Sequence, residues 1–123
     1  MSNLVLKADP TLGDFQEYVR ELEDERGFTQ QNAIEKCLLL GEEMGELFKA
    51  VRKTMKLKTD VNANIGPVDE EIADILIYLC SIANRFDIDI EQAFRNYCIS
   101  QGYIEIHSPI TLVTSTESGS ELF

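Results

Sequence analysis

Apolar residues recur at helical spacing from Leu12 to about Ser100, and the polar breaks between them divide this stretch into four segments. Leu12, Phe15, Val19 and Leu22 form the first stripe. Thr11 and Asp14 can open that helix as a capping box, and Gly27 closes it after about Arg26. A longer stripe, Ile34, Cys37, Leu38, Met44, Leu47, Phe48, Val51 and Met55, predicts a second helix capped by Thr29 or Asn32 and running to about Lys56. The polar stretch 57–66, with Asp60, Asn62 and Asn64, reads as a loop punctuated by Gly66 and Pro67. Pro67 suits the first turn of a third helix through about Phe86, where Asp69, Glu70 and Glu71 favour the helix dipole. Asp87, Ile88 and Asp89 interrupt the pattern, and Asp89 with Gln92 can cap a fourth helix to about Ser100.

Four helices with short links predict an all-α four-helix bundle. After Gly102 the pattern changes to the alternating, β-branched runs 103–107 and 110–114, which predict a short irregular or β-like tail. The expected organisation is an N-terminal arm at 1–10, a helical domain at 11–102 and a C-terminal tail at 103–123.

Composition adds bounds to this pattern. A chain of 123 residues, 44% hydrophobic and 27% charged, is long enough for a core without disulfides. No apolar run approaches the roughly 18–20 residues of a membrane span, so a cytoplasmic address and no membrane partner are expected. Cys37, Cys80 and Cys98 lack CxxC spacing and read as buried free thiols of a reducing compartment. A net charge of −11 argues against nucleic acid as a partner, because phosphate neutralisation needs basic stripes. A polyanionic small molecule remains compatible if a metal bridges the like charges.

Two acidic clusters answer that condition. Glu42, Glu43 and Glu46 lie in one, Glu71 and Asp74 in the other, and residues three apart are neighbours on one helix face. Both are embedded in apolar sequence, Leu38–Leu40 before the first and Ile75–Leu79 after the second. Desolvating several carboxylates together costs many kcal/mol unless cations neutralise them, and clustered hard oxygens select Mg²⁺ or Mn²⁺. An antiparallel crossing of the second and third helices would set the two pairs face to face. Gly41 and Gly45, each costing about 1 kcal/mol against alanine within a helix, predict the close approach of a neighbouring helix or a ligand. The wide apolar surface of the second helix predicts self-association, as a homodimer or homotetramer.

Residues 24–28 before the second helix, the cluster 42–46, the run 71–76 and the segment 87–93 together resemble the MazG-type all-α nucleoside triphosphate pyrophosphohydrolases over residues 12–100. The resemblance implies Mg²⁺-dependent hydrolysis of an NTP or dNTP between the α and β phosphates, giving the monophosphate and pyrophosphate, a nucleotide-pool house-cleaning activity. It implies Glu43, Glu46, Glu71 and Asp74 as metal ligands, with Glu42 as a further glutamate that serves a second metal or positions water. Glu42 and Glu43 are the alternative proton acceptors. Phe28 and Asn32 fall where such proteins contact the base or sugar. Members often carry a lysine near the end of the fourth helix, whereas here that region, 95–102, has none. Lys49, Arg52 and Lys53 are the cations placed to compensate, with Lys49 and Lys53 as substrate-binding candidates. The alternative from another class is a non-catalytic acidic helical module that binds nucleotide or protein without turnover. A ferritin-like di-iron centre is disfavoured, because its two Glu-x-x-His motifs are missing.

Overall fold

The computed structural model describes residues 3–104. Their helices are α1 (Leu12–Arg26), α2 (Ala33–Thr54), α3 (Val68–Arg85) and α4 (Ile90–Ser100), and no strand occurs among the described residues. The all-α expectation therefore holds. The β-like runs expected in the tail lie outside the described residues, apart from Tyr103 and Ile104, which form no strand.

Local chemistry sets the helix starts. The Asp14 amide donates to Thr11 Oγ1 at 3.1 Å and the Thr11 amide to Asp14 Oδ2 at 2.9 Å, a reciprocal capping box. Asn32, rather than Thr29, caps α2 by accepting from the Glu35 amide at 2.9 Å. Pro67 sits one position earlier than expected, as the N-cap of α3 with φ −74° and ψ 154°. Its missing N–H costs nothing there.

The four helices share one way of stopping. An amide reaches back five residues to a carbonyl, Phe28 to Glu23, Leu57 to Arg52, Ile88 to Ala83 and Tyr103 to Cys98, at 2.8–2.9 Å. The residue before each of those amides is left-handed: Gly27, Lys56, Asp87 and Gly102. Lys56 and Asp87 adopt this conformation without being glycine, at about 1–2 kcal/mol each. That is why α2 ends at Thr54, two residues before the expected end at about Lys56.

The chain forms two compact units, one through Ile90 and one from Glu91. In the first, α3 packs against both α1 and α2. Its fully buried apolar residues are small, Val19, Ala50, Cys80 and Ala83. Polar groups fill the remaining interior. Gln16 donates to Asn84 Oδ1 and to the Ile88 carbonyl and accepts from the Ile90 amide, so one side chain ties α1, α3 and the start of α4. Deeper, Glu23 of α1 accepts from Arg85 on both oxygens at 3.1 and 2.6 Å and from Ser81 Oγ at 2.9 Å, and Lys36 Nζ of α2 lies 3.4 Å away. In the second unit, Cys98 is buried, Arg95 pairs with Glu91 at 3.2 Å, and the Tyr97 and Tyr103 rings meet edge to face.

One expectation is corrected. Cys37 is exposed, while Cys80 and Cys98 are buried. On the α2 stripe, Ile34, Leu38, Phe48 and Met55 are each more than half exposed, so the helix does present an apolar surface. Periodicity identifies an apolar face but carries no information on what covers it.

Burial alone pushes the Glu23 carboxyl up, but hydrogen bonds from Arg85 and Ser81 and the charges of Arg85 and Lys36 outweigh it and hold the group below the ordinary value of 4.5. A depressed native value stabilises the fold above the unfolded-state value, and that contribution is lost as pH falls through the native one. Glu23→Gln leaves two buried cations without an anion and should cost about 3 kcal/mol at pH 7. Denaturant unfolding should show the gap between wild type and variant narrowing below pH 4.5.

Candidate metal centre and adjoining cleft

The packing of α3 on α2 brings together one carboxylate oxygen each from Glu43, Glu71 and Asp74, all within 4.8 Å of one another. Glu43 projects from the middle of α2. Glu71 and Asp74 stand one turn apart on α3, which is why their three-residue spacing places both beside Glu43. Glu71 is buried, at 8% exposure, and Glu43 half-buried.

Among the described residues, no ion pair involves any of the three. The consequence falls on Glu43. Burial, then the charges of Asp74, Glu71, Glu46 and Glu42, push its carboxyl above the ordinary value. The Tyr78 hydroxyl is pushed up as well, by burial and then by Glu43, Asp74 and Glu42. An all-oxygen donor set with clustered like charge fits a hard divalent cation such as Mg²⁺ or Mn²⁺.

The remaining sequence candidates divide. Glu46 lies outside the trio and pairs with Lys49 at 3.3 Å. Glu42 is exposed on the same helix, near enough for its charge to act on Glu43 and Tyr78. Gly41 and Gly45 face open space within this chain, since a Cβ at either would meet nothing within 4 Å. The close approach expected at them is therefore not made by any part of one copy among the described residues.

Asp74 also lines a cleft of about 330 Å³ walled by Phe28, Gln31, Lys36, Leu39 and Tyr78. Of the four substrate candidates only Phe28 lines it. The side-chain oxygen of Asn32 is engaged in capping α2, Lys49 is paired with Glu46, and Lys53 is exposed in the last turn of α2. Lys36, absent from the sequence candidates, is 3% exposed, with its ammonium 5.3 Å from the Phe28 ring centroid and 5.5 Å from that of Tyr78. Its signal was present in the sequence. A lysine seven residues before Glu43 shares a face with it, inside the run that leads to Leu38–Leu40. Arg85 fixes the wall that carries Phe28, donating from Nε to the Gln31 carbonyl at 2.6 Å and from a terminal nitrogen to the Phe28 carbonyl at 3.1 Å.

The family model of the MazG nucleotide pyrophosphohydrolase domain matches residues 29–99, more than half of the chain. That span contains the trio, Lys36 and Arg85. No curated protein matches the chain.

The raised Glu43 value has a definite sign in the metal-free protein. Below the ordinary value of 4.5 the group is protonated folded or unfolded; above it the unfolded chain ionises first, and stability falls until the native value is passed. Glu43→Gln should therefore melt at a higher temperature than metal-free wild type at pH 7, with the advantage vanishing below pH 4.5. Millimolar Mg²⁺ should raise the wild-type melting temperature and leave that of the variant nearly unchanged, since binding to the native state alone adds RT ln(1 + [L]/Kd).

Proposed function

The chain belongs to the MazG nucleotide pyrophosphohydrolase family, and on that premise we propose that it hydrolyses an NTP or dNTP between the α and β phosphates in a Mg²⁺-dependent reaction. The observation that carries this reading is the convergence of Glu43, Glu71 and Asp74 from two helices, with no cation paired to them among the described residues, at the edge of a cleft. Residues 11–102 hold the activity in this reading, with 1–10 as an arm and 103–123 as a tail.

Glu43, Glu71 and Asp74 would hold the metal, with Glu46, now paired with Lys49, as the fourth carboxylate of the expected set. Mg²⁺ or Mn²⁺, when bound, neutralises charge on the phosphates and lowers the pKa of water beside them. Glu42 or Glu43 takes the proton of the attacking water. Phe28 and Tyr78 offer aromatic faces to the nucleobase, and the Arg85 clamp keeps the Phe28 wall in place when the cleft is empty. Lys49 and Lys53 are the cations on α2 available to the outer phosphates.

The exposed apolar face of α2 receives a second copy of the chain, as a homodimer or as half of a homotetramer. Ile34, Leu38, Gly41, Phe48 and Met55 follow a heptad-like path along it, and open space at Gly41 admits a close helix. Among the described residues no helix is long and apolar enough to cross a membrane, and three free thiols fit a reducing, cytoplasmic setting. A binding module without turnover is the second reading. It is favoured by the engagement of Glu46 with Lys49, which leaves three carboxylates where four are expected.

Pyrophosphate release from a panel of NTPs and dNTPs, with and without Mg²⁺, separates the two. Turnover should require the metal, and Glu43→Gln and Asp74→Asn should each lower kcat/KM by at least about 100-fold, near 2.7 kcal/mol, with helical circular dichroism intact. Glu21→Gln, an exposed position on α1, should leave it nearly unchanged. Metal-dependent binding of a nucleotide without any pyrophosphate release would favour the module instead. For the assembly, sedimentation equilibrium should show Leu38→Glu shifted to monomer, because the charge would be desolvated in the contact between copies.

A further inference from the structure

Gly66 ends the loop between α2 and α3, directly before the capping Pro67. A glycine is usually required where the backbone is left-handed, and among the described glycines that holds at Gly27 and Gly102 but not at Gly66. The requirement at Gly66 is steric. A Cβ built there would lie 2.5 Å from Glu71 Oε1, 3.6 Å from Glu71 Cδ and 4.0 Å from Glu70 Oε2. The space that any other residue would fill with its side chain is occupied by the buried carboxylate of Glu71.

We propose that Gly66 is a positioning residue for Glu71: the bare backbone at this point forms the back wall that seats the Glu71 carboxylate against Glu43 and Asp74. The inference rests on the metal-binding reading of that trio and adds a residue to which no role has so far been assigned. An alanine at position 66 is compatible with the backbone, so the fold should accept it. Glu71 responds instead, since its carboxylate is the flexible partner. To return to ordinary contact the oxygen must move by roughly 1 Å, a displacement large enough to spoil a preorganised ligand set. Glu70 Oε2, 4.0 Å from the same Cβ position, puts a second carboxylate at the border of that space.

Mn²⁺ binding to the full chain, followed by electron paramagnetic resonance of the free ion, tests this without reference to turnover. Wild type should bind Mn²⁺. Gly66→Ala should bind it about 10- to 100-fold more weakly, the range set by losing a group that orients a ligand. Its metal-free melting temperature should be equal or slightly higher, because alanine restricts the unfolded chain. In a Glu71→Gln background, where that ligand is already lost, adding Gly66→Ala should change Mn²⁺ affinity by less than about twofold, the non-additivity expected of two changes acting through one group. Unchanged affinity in Gly66→Ala would overturn the inference and leave the metal centre standing. An undiminished effect in the Glu71→Gln background would overturn it too, by showing that the glycine acts through something else, and loss of helical signal in Gly66→Ala would assign the glycine to the fold. A wild type that binds no Mn²⁺ removes the metal reading itself, and this inference with it.

Discussion

The Arg85 guanidinium is the point on which the first unit depends. It meets both oxygens of Glu23, the Ser81 hydroxyl and carbonyl, and the carbonyls of Phe28 and Gln31. One planar group thereby joins α1, α3 and the connection that leads into α2. Glu23 extends the set to Lys36, which brings α2 itself into the network. Buried ions of this kind are a weak source of net stability, because desolvation consumes most of the attraction. Breaking them is costly all the same: without Glu23, Lys36 and Arg85 would be left without their shared anion.

The same chain holds carboxylates in two opposite electrostatic states. Glu23 is buried and compensated, and its affinity for a proton falls. Glu43 is half-buried beside Asp74, Glu71, Glu46 and Glu42, and its affinity for a proton rises. Burial acts on both groups in the same direction, so the difference comes from their neighbours. A carboxylate crowded by like charges is poised for a cation, whereas Glu23 has nothing left to bind. The two directions thus separate a carboxylate that builds the fold from one available for chemistry, a distinction that acidic composition alone does not make.

Much of this was legible in the sequence because it is local. The capping box at Thr11, the cap at Asn32 and the stops at Gly27 and Gly102 depend on residues a few positions apart, and the spacing of Glu71 and Asp74 needs only the helix period. The breaks at about Lys56 and at Asp87 were legible as well, but the left-handed backbone that makes them was not, because neither residue type favours it strongly enough to announce it. The Glu23–Arg85 pair escaped for a different reason. Glu23 sits in the polar run 23–26, and its partner is brought in from another helix, so no window along the chain contains both. The steric role of Gly66 was equally hidden, since a glycine before a proline is explained well enough as punctuation. The α2 stripe was visible, and so was its width, but which of its residues stay exposed in one copy was not.

That exposure bears on how the site stays assembled. The residues buried in the first unit are small or polar, while Ile34, Leu38, Met44, Phe48 and Val51 of α2 are exposed. The apolar burial that ordinarily outweighs both chain entropy and the repulsion of clustered carboxylates is therefore incomplete in one copy. In the proposed assembly a second copy supplies the missing burial along α2, the helix that carries Glu43. On the proposed reading, a cation held at the cluster would supply the missing charge. Each would favour the same arrangement of α2 against α3, so each should strengthen the other by linkage, with a ligand at 100 times its Kd adding about 2.7 kcal/mol to the state that binds it. Stability of the fold, assembly on α2 and occupancy of the carboxylate cluster would then be one coupled equilibrium, in which the repulsion that raises the Glu43 carboxyl in the empty protein is what a cation would relieve.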